Sequence, residues 1–142
     1  MFTLFLAGFA ATLLMTGLAW MVQLVHYPSI RFTDPRRFPE FHHFHSTRIT
    51  LIVGPLMLTE LGTAIVLVSA PEFIPYTLSV PALLLIAAIF ADTAFRVVPV
   101  HNRLGTTGYD ASLIDELTRK NRLRTFMWTA RCLVLGGFFY HP

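Results

Sequence analysis

The chain has 142 residues, 54% of them hydrophobic and only 13% charged, and its mean hydropathy is +0.59. That excludes an ordinary soluble domain and leaves no length for a second substantial one. The net charge of +3 comes from eleven Lys and Arg that all fall in two windows, Arg31–Arg48 and Arg96–Arg131, a pattern of membrane topology rather than of nucleic-acid binding.

A membrane-spanning helix needs about 20 mostly apolar residues. Four segments meet that need, which predicts spans near 2–25, 46–69, 77–98 and 123–140 of a single domain, residues 1–142. The expected fold class is all-α: a four-helix transmembrane bundle with a short interfacial helix before the last span. The first segment carries no charge from Met1 to Val25 and lacks a basic leader, so it reads as an uncleaved helix and not a signal peptide. Thr12, Thr16, Gln23 and His26, with Ala19 between, step by four and three and form one stripe. Lipid offers that stripe no hydrogen-bond partner, so it should face the other helices.

The segment Tyr27–Glu40 holds three prolines and five charges and reads as a loop. The second helix is expected from about Glu40, entering the membrane near Ile49. Its His42 and His45 share a face, and the line continues through Arg48 or Ile49, Ile52 and Leu56 to Glu60. Gly54-Pro55 predicts a kink, because proline lacks an amide and displaces the Leu51 carbonyl. In the third helix, Asp92 and Arg96 stand four apart in the favourable acid-before-base order, and Pro99 is expected to end it. Asp110 is placed to cap the short interfacial helix Ala111–Arg119, with Leu113, Ile114 and Leu117 on its apolar side. The last span follows from about Asn121, with Asn121, Arg124, Trp128 and Arg131 on one stripe. The single cysteine, Cys132, excludes an internal disulfide and reads as a small packed side chain.

These polar residues suggest two meeting places. Counting the helical rise of about 1.5 Å per residue puts Asp92 roughly 13 Å from His101 and Arg131 roughly 15 Å from Asn121, near mid-membrane, and Glu60 roughly 22 Å beyond His45, in the outer half. Intramembrane acids are costly and usually functional, and the arginines outnumber them. Surplus guanidinium groups suit an anion, an enolate or a quinone oxygen. At the basic end, His26, His42, His45 and His101 come to similar depth from three segments. Imidazoles so gathered are candidate ligands for iron, copper or zinc, or for haem, while interfacial histidines bound to loop carbonyls need no metal at all. His43 and His141 read as bystanders.

Several short patterns carry a resemblance: Gln23-x-x-His26-Tyr27-Pro28, Phe41-His42-x-x-His45-x-x-Arg48, Pro55-Leu56-Met57-x-x-Glu60, Pro99-x-His101-Asn102-x-Leu104 and Asn121-x-x-Arg124-Thr125-x-x-Trp128-x-x-Arg131. On these the chain resembles a group of small bacterial four-helix integral membrane proteins. It is more distantly similar to anthrone oxygenase-like membrane proteins through Pro99, Asn102, Leu104, Trp128 and Arg131. The resemblance implies the inner membrane of a bacterium. The positive-inside rule then places both basic connections in the cytoplasm and both termini outside, with anionic headgroups near the loop arginines.

The function this points to is a membrane redox or oxygenase-like protein acting on a lipophilic aromatic or quinol-type molecule. His45, His101, Glu60 and Asp92 are the candidate catalytic residues. Gln23, Arg48, Arg96, Asn102, Arg124, Trp128 and Arg131 are the candidate substrate-binding residues, and His26, His42, His45 and His101 are the candidate metal ligands. A general base would take an acidic proton and arginine would hold the resulting oxyanion. A non-enzymatic haem, metal or quinone carrier and a structural accessory subunit draw on the same residues. The partners expected are the bilayer and a lipophilic small molecule, with no nucleic acid; the sequence leaves open whether the chain forms a homo-oligomer.

Overall fold

The computed structural model describes residues 1–140, all of whose regular structure is helical. Four long helices account for nearly all of it: α1, Phe2–Ile30; α2, Phe38–Val68; α3, Tyr76–Thr107; and α4, Ala111–Gly136, extended by a 3₁₀ turn over Gly137–Tyr140. They run up and down in sequence order, and each packs on its two neighbours in a closed ring, α1 against α2 and α4, α3 against α2 and α4. Three of them, α1 to α3, are long and apolar enough to cross a membrane. The first half of α4 is too charged to count with them, carrying Asp115, Glu116, Arg119, Lys120 and Arg122.

The helices are longer than the apolar runs predict, and proline accounts for two of the differences. The expected loop at Tyr27 starts four residues later, at Arg31, and Pro99 does not end the third helix. In each case one π-helical turn, Val22–His26 in α1 and Thr93–Val97 in α3, stands immediately before the segment that holds the proline. A proline ring collides with the carbonyl four residues back and leaves it without a donor. A wider turn ahead of it re-routes those carbonyls and lets the helix continue, and such turns are frequent at functional sites. Pro55 likewise sits inside a continuous α2.

The expected interfacial helix and last span are one element. Asp110 caps it as predicted, accepting from the Ser112 and Leu113 amides at 2.8 and 3.2 Å. These hydrogen bonds, led by that of the Ser112 side chain, hold the Asp110 carboxyl below its usual range. Leu113, Ile114 and Leu117 do not lie on a lipid surface. They are buried against Val22, Tyr27, Val100 and Leu104, so the amphipathic face is satisfied inside the bundle.

At the other end of the bundle, Phe5 packs on Phe73 and Phe138, the latter at 4.3 Å between ring centroids. Between these ends α1 packs tightly against α2 at Gly8. A Cβ there would lie 2.4 Å from Thr63 Oγ1, so only glycine fits. The two basic connections lie at one end, where Arg31 pairs with Asp115 and the Tyr109 hydroxyl donates to the Arg31 carbonyl at 3.2 Å.

Candidate functional site

Two polar regions occupy the bundle interior. The first joins all four helices through Glu60 and Arg131, both buried. Arg131 Nε donates to Glu60 Oε1 at 3.2 Å and to Thr12 Oγ1 at 3.3 Å. Its Nη1 donates to the Ala82 carbonyl on α3 and its Nη2 to the Glu60 carbonyl at 3.4 Å. Thr12 Oγ1 donates to Glu60 Oε1 at 2.7 Å, and Trp128 Nε1 donates to Glu60 Oε2 at 3.0 Å. The carboxylate and guanidinium thus satisfy each other and their neighbours.

This corrects the difference in depth expected between the two: Glu60 lies level with Arg131. The rise was counted along α4 from Asn121, yet Asn121 already sits inside the bundle: its Nδ2 donates to Gln23 Oε1 at 3.0 Å, one turn inward of His26. The stripe on α1 does face its neighbours, as expected. Thr16 donates to the Trp128 carbonyl at 3.2 Å, and Ala19 accepts from Thr125 at 3.4 Å.

The second region is a chamber of about 270 Å³ on the basic side of this lock. His45 enters it from α2, Tyr27 from α1, His101 from α3, and Asn121, Arg124 and Trp128 from α4. Met15, Ile49 and Val53 supply apolar wall, and both π turns contribute, through Val22 and through Thr93 and Val97. The Tyr27 hydroxyl and His101 Nε2 share a hydrogen bond of 3.1 Å. Tyr27 is buried, and the Arg124 guanidinium carbon lies 5.3 Å from the Trp128 ring centroid, over its face. Unlike the lock, the chamber's polar groups are under-used. His101 Nδ1, Arg124 Nε and Asn121 Oδ1 are buried without a hydrogen-bond partner among the described residues. Buried polar atoms are normally paired, so such exceptions call for an explanation.

The structure therefore divides the residues singled out from the sequence. His45, His101, Arg124 and Trp128 meet in the chamber. Glu60 and Arg131 form the lock, and Gln23 orients Asn121. Asp92 is buried and bonded to Arg96 at 2.7 Å, outside the chamber walls. Arg96 and Asn102 are exposed, and exposed Arg48 lies over the Phe44 ring at 5.4 Å. His43 is exposed, and His141 falls outside the described residues.

The histidine quartet does not form a ligand set. His26 and His45 stack with ring centroids 4.1 Å apart and planes 26° apart, so they present faces to each other and not lone pairs to one point. His101 Nε2 is taken by Tyr27. Among the described residues no three of His, Cys, Asp and Glu are arranged to hold a metal ion. A chamber of about 270 Å³ accepts a one- or two-ring molecule and is too small for a porphyrin.

Tyr27 is the residue that sequence reasoning overlooked. Read as the first loop residue, it in fact lies four after Gln23 and extends the α1 stripe by one step. That spacing was the available signal. Comparison with protein-family models, with curated proteins and with solved structures finds no match.

Proposed function

We propose that the chain is a four-span membrane protein of the bacterial inner membrane whose chamber ionises a lipophilic phenol or activated aromatic methylene and readies it for oxidation by dioxygen. The single observation that carries this reading is the chamber itself, where a Tyr–His hydrogen bond and a guanidinium with spare donor capacity meet apolar walls. Support for the membrane setting comes from α1 to α3, each long and apolar enough to span, and from the basic connections gathered at one end. The positive-inside rule assigns that end to the cytoplasm and both termini to the other side.

In this reading the substrate's acidic proton passes to the Tyr27–His101 pair, and Arg124 holds the developing oxyanion by charge-assisted hydrogen bonds. Trp128 supplies a flat apolar surface for the ring. Asn121 offers an acceptor that helps to orient a substrate hydroxyl. With dioxygen as oxidant, an activated methylene yields a ketone and water, and a quinol yields a quinone and hydrogen peroxide. The distant likeness to anthrone oxygenase-like proteins fits the first of these. No step is routed through a metal, because the histidines are not disposed to hold one.

The test is titration of the full-length protein in lipid nanodiscs with an alkylated 4-nitrophenol, below the pH at which the free phenol ionises. Binding with appearance of the coloured phenolate is expected, weakened about tenfold or more in Arg124→Gln through loss of a charge-assisted partner. Absence of any binding, or binding unaffected by Arg124→Gln and Tyr27→Phe alike, refutes the reading. Phenolate binding without oxidation in air would assign the carrier role and not an enzyme.

A further inference from the structure

His101 belongs to two spaces. Besides the chamber it lines an outer groove of about 520 Å³ between α2 and α3, together with His42, Ser46, Asn102 and Gly105. Tyr27 lines the chamber and is not a wall of the groove. The imidazole is therefore a partition. One nitrogen, Nε2, is tied to Tyr27 on the chamber wall, and the other, Nδ1, has no partner among the described residues.

The groove repeats that pattern. His42 and Ser46, both on its walls, likewise each carry a buried atom, Nε2 and Oγ, without a partner among the described residues. Dry apolar grooves do not gather unpaired polar atoms, whereas water chains need two to four polar partners per molecule. A second opening differs in character. The space of about 200 Å³ between α1 and α2 holds one such atom, His26 Nε2, and Arg48 at its edge, but is otherwise walled mainly by Met21, Phe41, Phe44 and Ile52, and it shares His45 and Ile49 with the chamber.

We propose that the α2–α3 groove is a water-filled proton route, separate from the apolar α1–α2 opening by which a lipophilic substrate enters. The inference rests on the reading of the chamber as an acid–base site. The step balances within the chain. The substrate O–H or C–H bond breaks as a proton reaches the Tyr27 oxygen. The Tyr27 proton moves to His101 Nε2, and the proton on His101 Nδ1 leaves to water in the groove. The substrate retains the electron pair, and the imidazole ends in its other neutral tautomer.

Gly105 offers a place at which to block this route. It is exposed, within α3, and a Cβ there would lie 3.4 Å from the His42 ring, an ordinary contact. The experiment uses the full chain in nanodiscs with Cys132→Ala, so that Ser46→Cys supplies the one thiol, and a cationic methanethiosulfonate as the water-borne probe. The thiol is expected to react, and Gly105→Leu to slow that reaction about tenfold, since thiol modification follows access and thiolate formation. In parallel, Gly105→Leu should slow formation of the nitrophenolate in stopped flow by a similar factor while leaving the probe's affinity unchanged. An unreactive thiol, or nitrophenolate kinetics indifferent to Gly105→Leu, overturns the route and leaves the chamber reading standing. A reactive, blockable thiol in a protein that binds no nitrophenol supports a wet groove and overturns the chamber reading instead.

Discussion

The lock around Glu60 and Arg131 and the chamber around His101 and Arg124 lie next to each other in one bundle and are built from the same kinds of residue. Their difference is in hydrogen-bond satisfaction. In the lock, both carboxylate oxygens accept bonds and all three guanidinium nitrogens donate, across all four helices. In the chamber, three polar atoms from His101, Arg124 and Asn121 have no partner among the described residues. Trp128 belongs to both: its indole N–H donates to Glu60 while its ring lines the chamber beneath Arg124. A polar cluster that satisfies itself fixes structure, whereas one that leaves capacity spare is disposed to take a ligand.

Substitution can break this contrast. The largest effect is expected for Arg131→Ala, which leaves Glu60 buried without its ion-pair partner. Removing one partner of a buried pair costs about 3–5 kcal/mol, measurable as unfolding in mixed detergent. The double variant Glu60→Leu with Arg131→Met removes both charges and should recover much of that loss, because well-packed apolar replacements of buried pairs are often neutral. Failure of the double variant to recover would give the lock a role beyond structure.

Next in size is Gly8→Ala, whose added methyl meets Thr63 Oγ1 at 2.4 Å and the Thr63 Cβ at 2.9 Å. Over-packing at this helix crossing should cost about 1–3 kcal/mol, seen in the same unfolding assay, and Gly8→Ala with Thr63→Ala should recover only part of it, because the Oγ1 contact goes while the Cβ contact at 2.9 Å stays. Tyr27→Phe sharpens the contrast from the chamber side. It removes a hydroxyl that, among the described residues, bonds only to His101, so stability should fall by about 0.5–1.5 kcal/mol while formation of bound nitrophenolate slows markedly. A large loss of stability with unchanged phenolate formation would make the Tyr27–His101 bond structural. Smallest of all is His43→Ala, at an exposed position, expected to lie within about 0.5 kcal/mol of the parent and to leave probe binding alone.

How much of this was legible in the sequence follows from what each signal depends on. Long apolar segments and single-face stripes depend on local spacing, so the helical bundle, the inward stripe of Thr12 and Thr16, the Asp92–Arg96 pair and the Asp110 cap could all be read directly. Helix ends at Pro28 and Pro99 could not. The π turns that accommodate those prolines depend on the tertiary walls they help to build, and proline by itself reads as a stop. The Glu60–Arg131 pairing was hidden for a related reason: depth counted along separate helices has no common origin until Asn121 is seen to meet Gln23. The histidines could be grouped by depth, but ring orientation decides ligation. Stacking of His26 on His45 is a property of packing that spacing does not encode.

The central claim, that the chamber takes a lipophilic aromatic ligand, is tested most directly through Trp128. The chain has two tryptophans, so Trp20→Phe leaves Trp128 as the sole indole reporter, fully buried against the chamber. Its fluorescence should be quenched saturably by a lipophilic bromophenol in nanodiscs, with the quenching weakened about tenfold by Arg124→Gln through loss of a charge-assisted contact. A linear, non-saturating response, identical with and without Arg124, would mean that the bromophenol reaches Trp128 only from the lipid and that the chamber holds nothing.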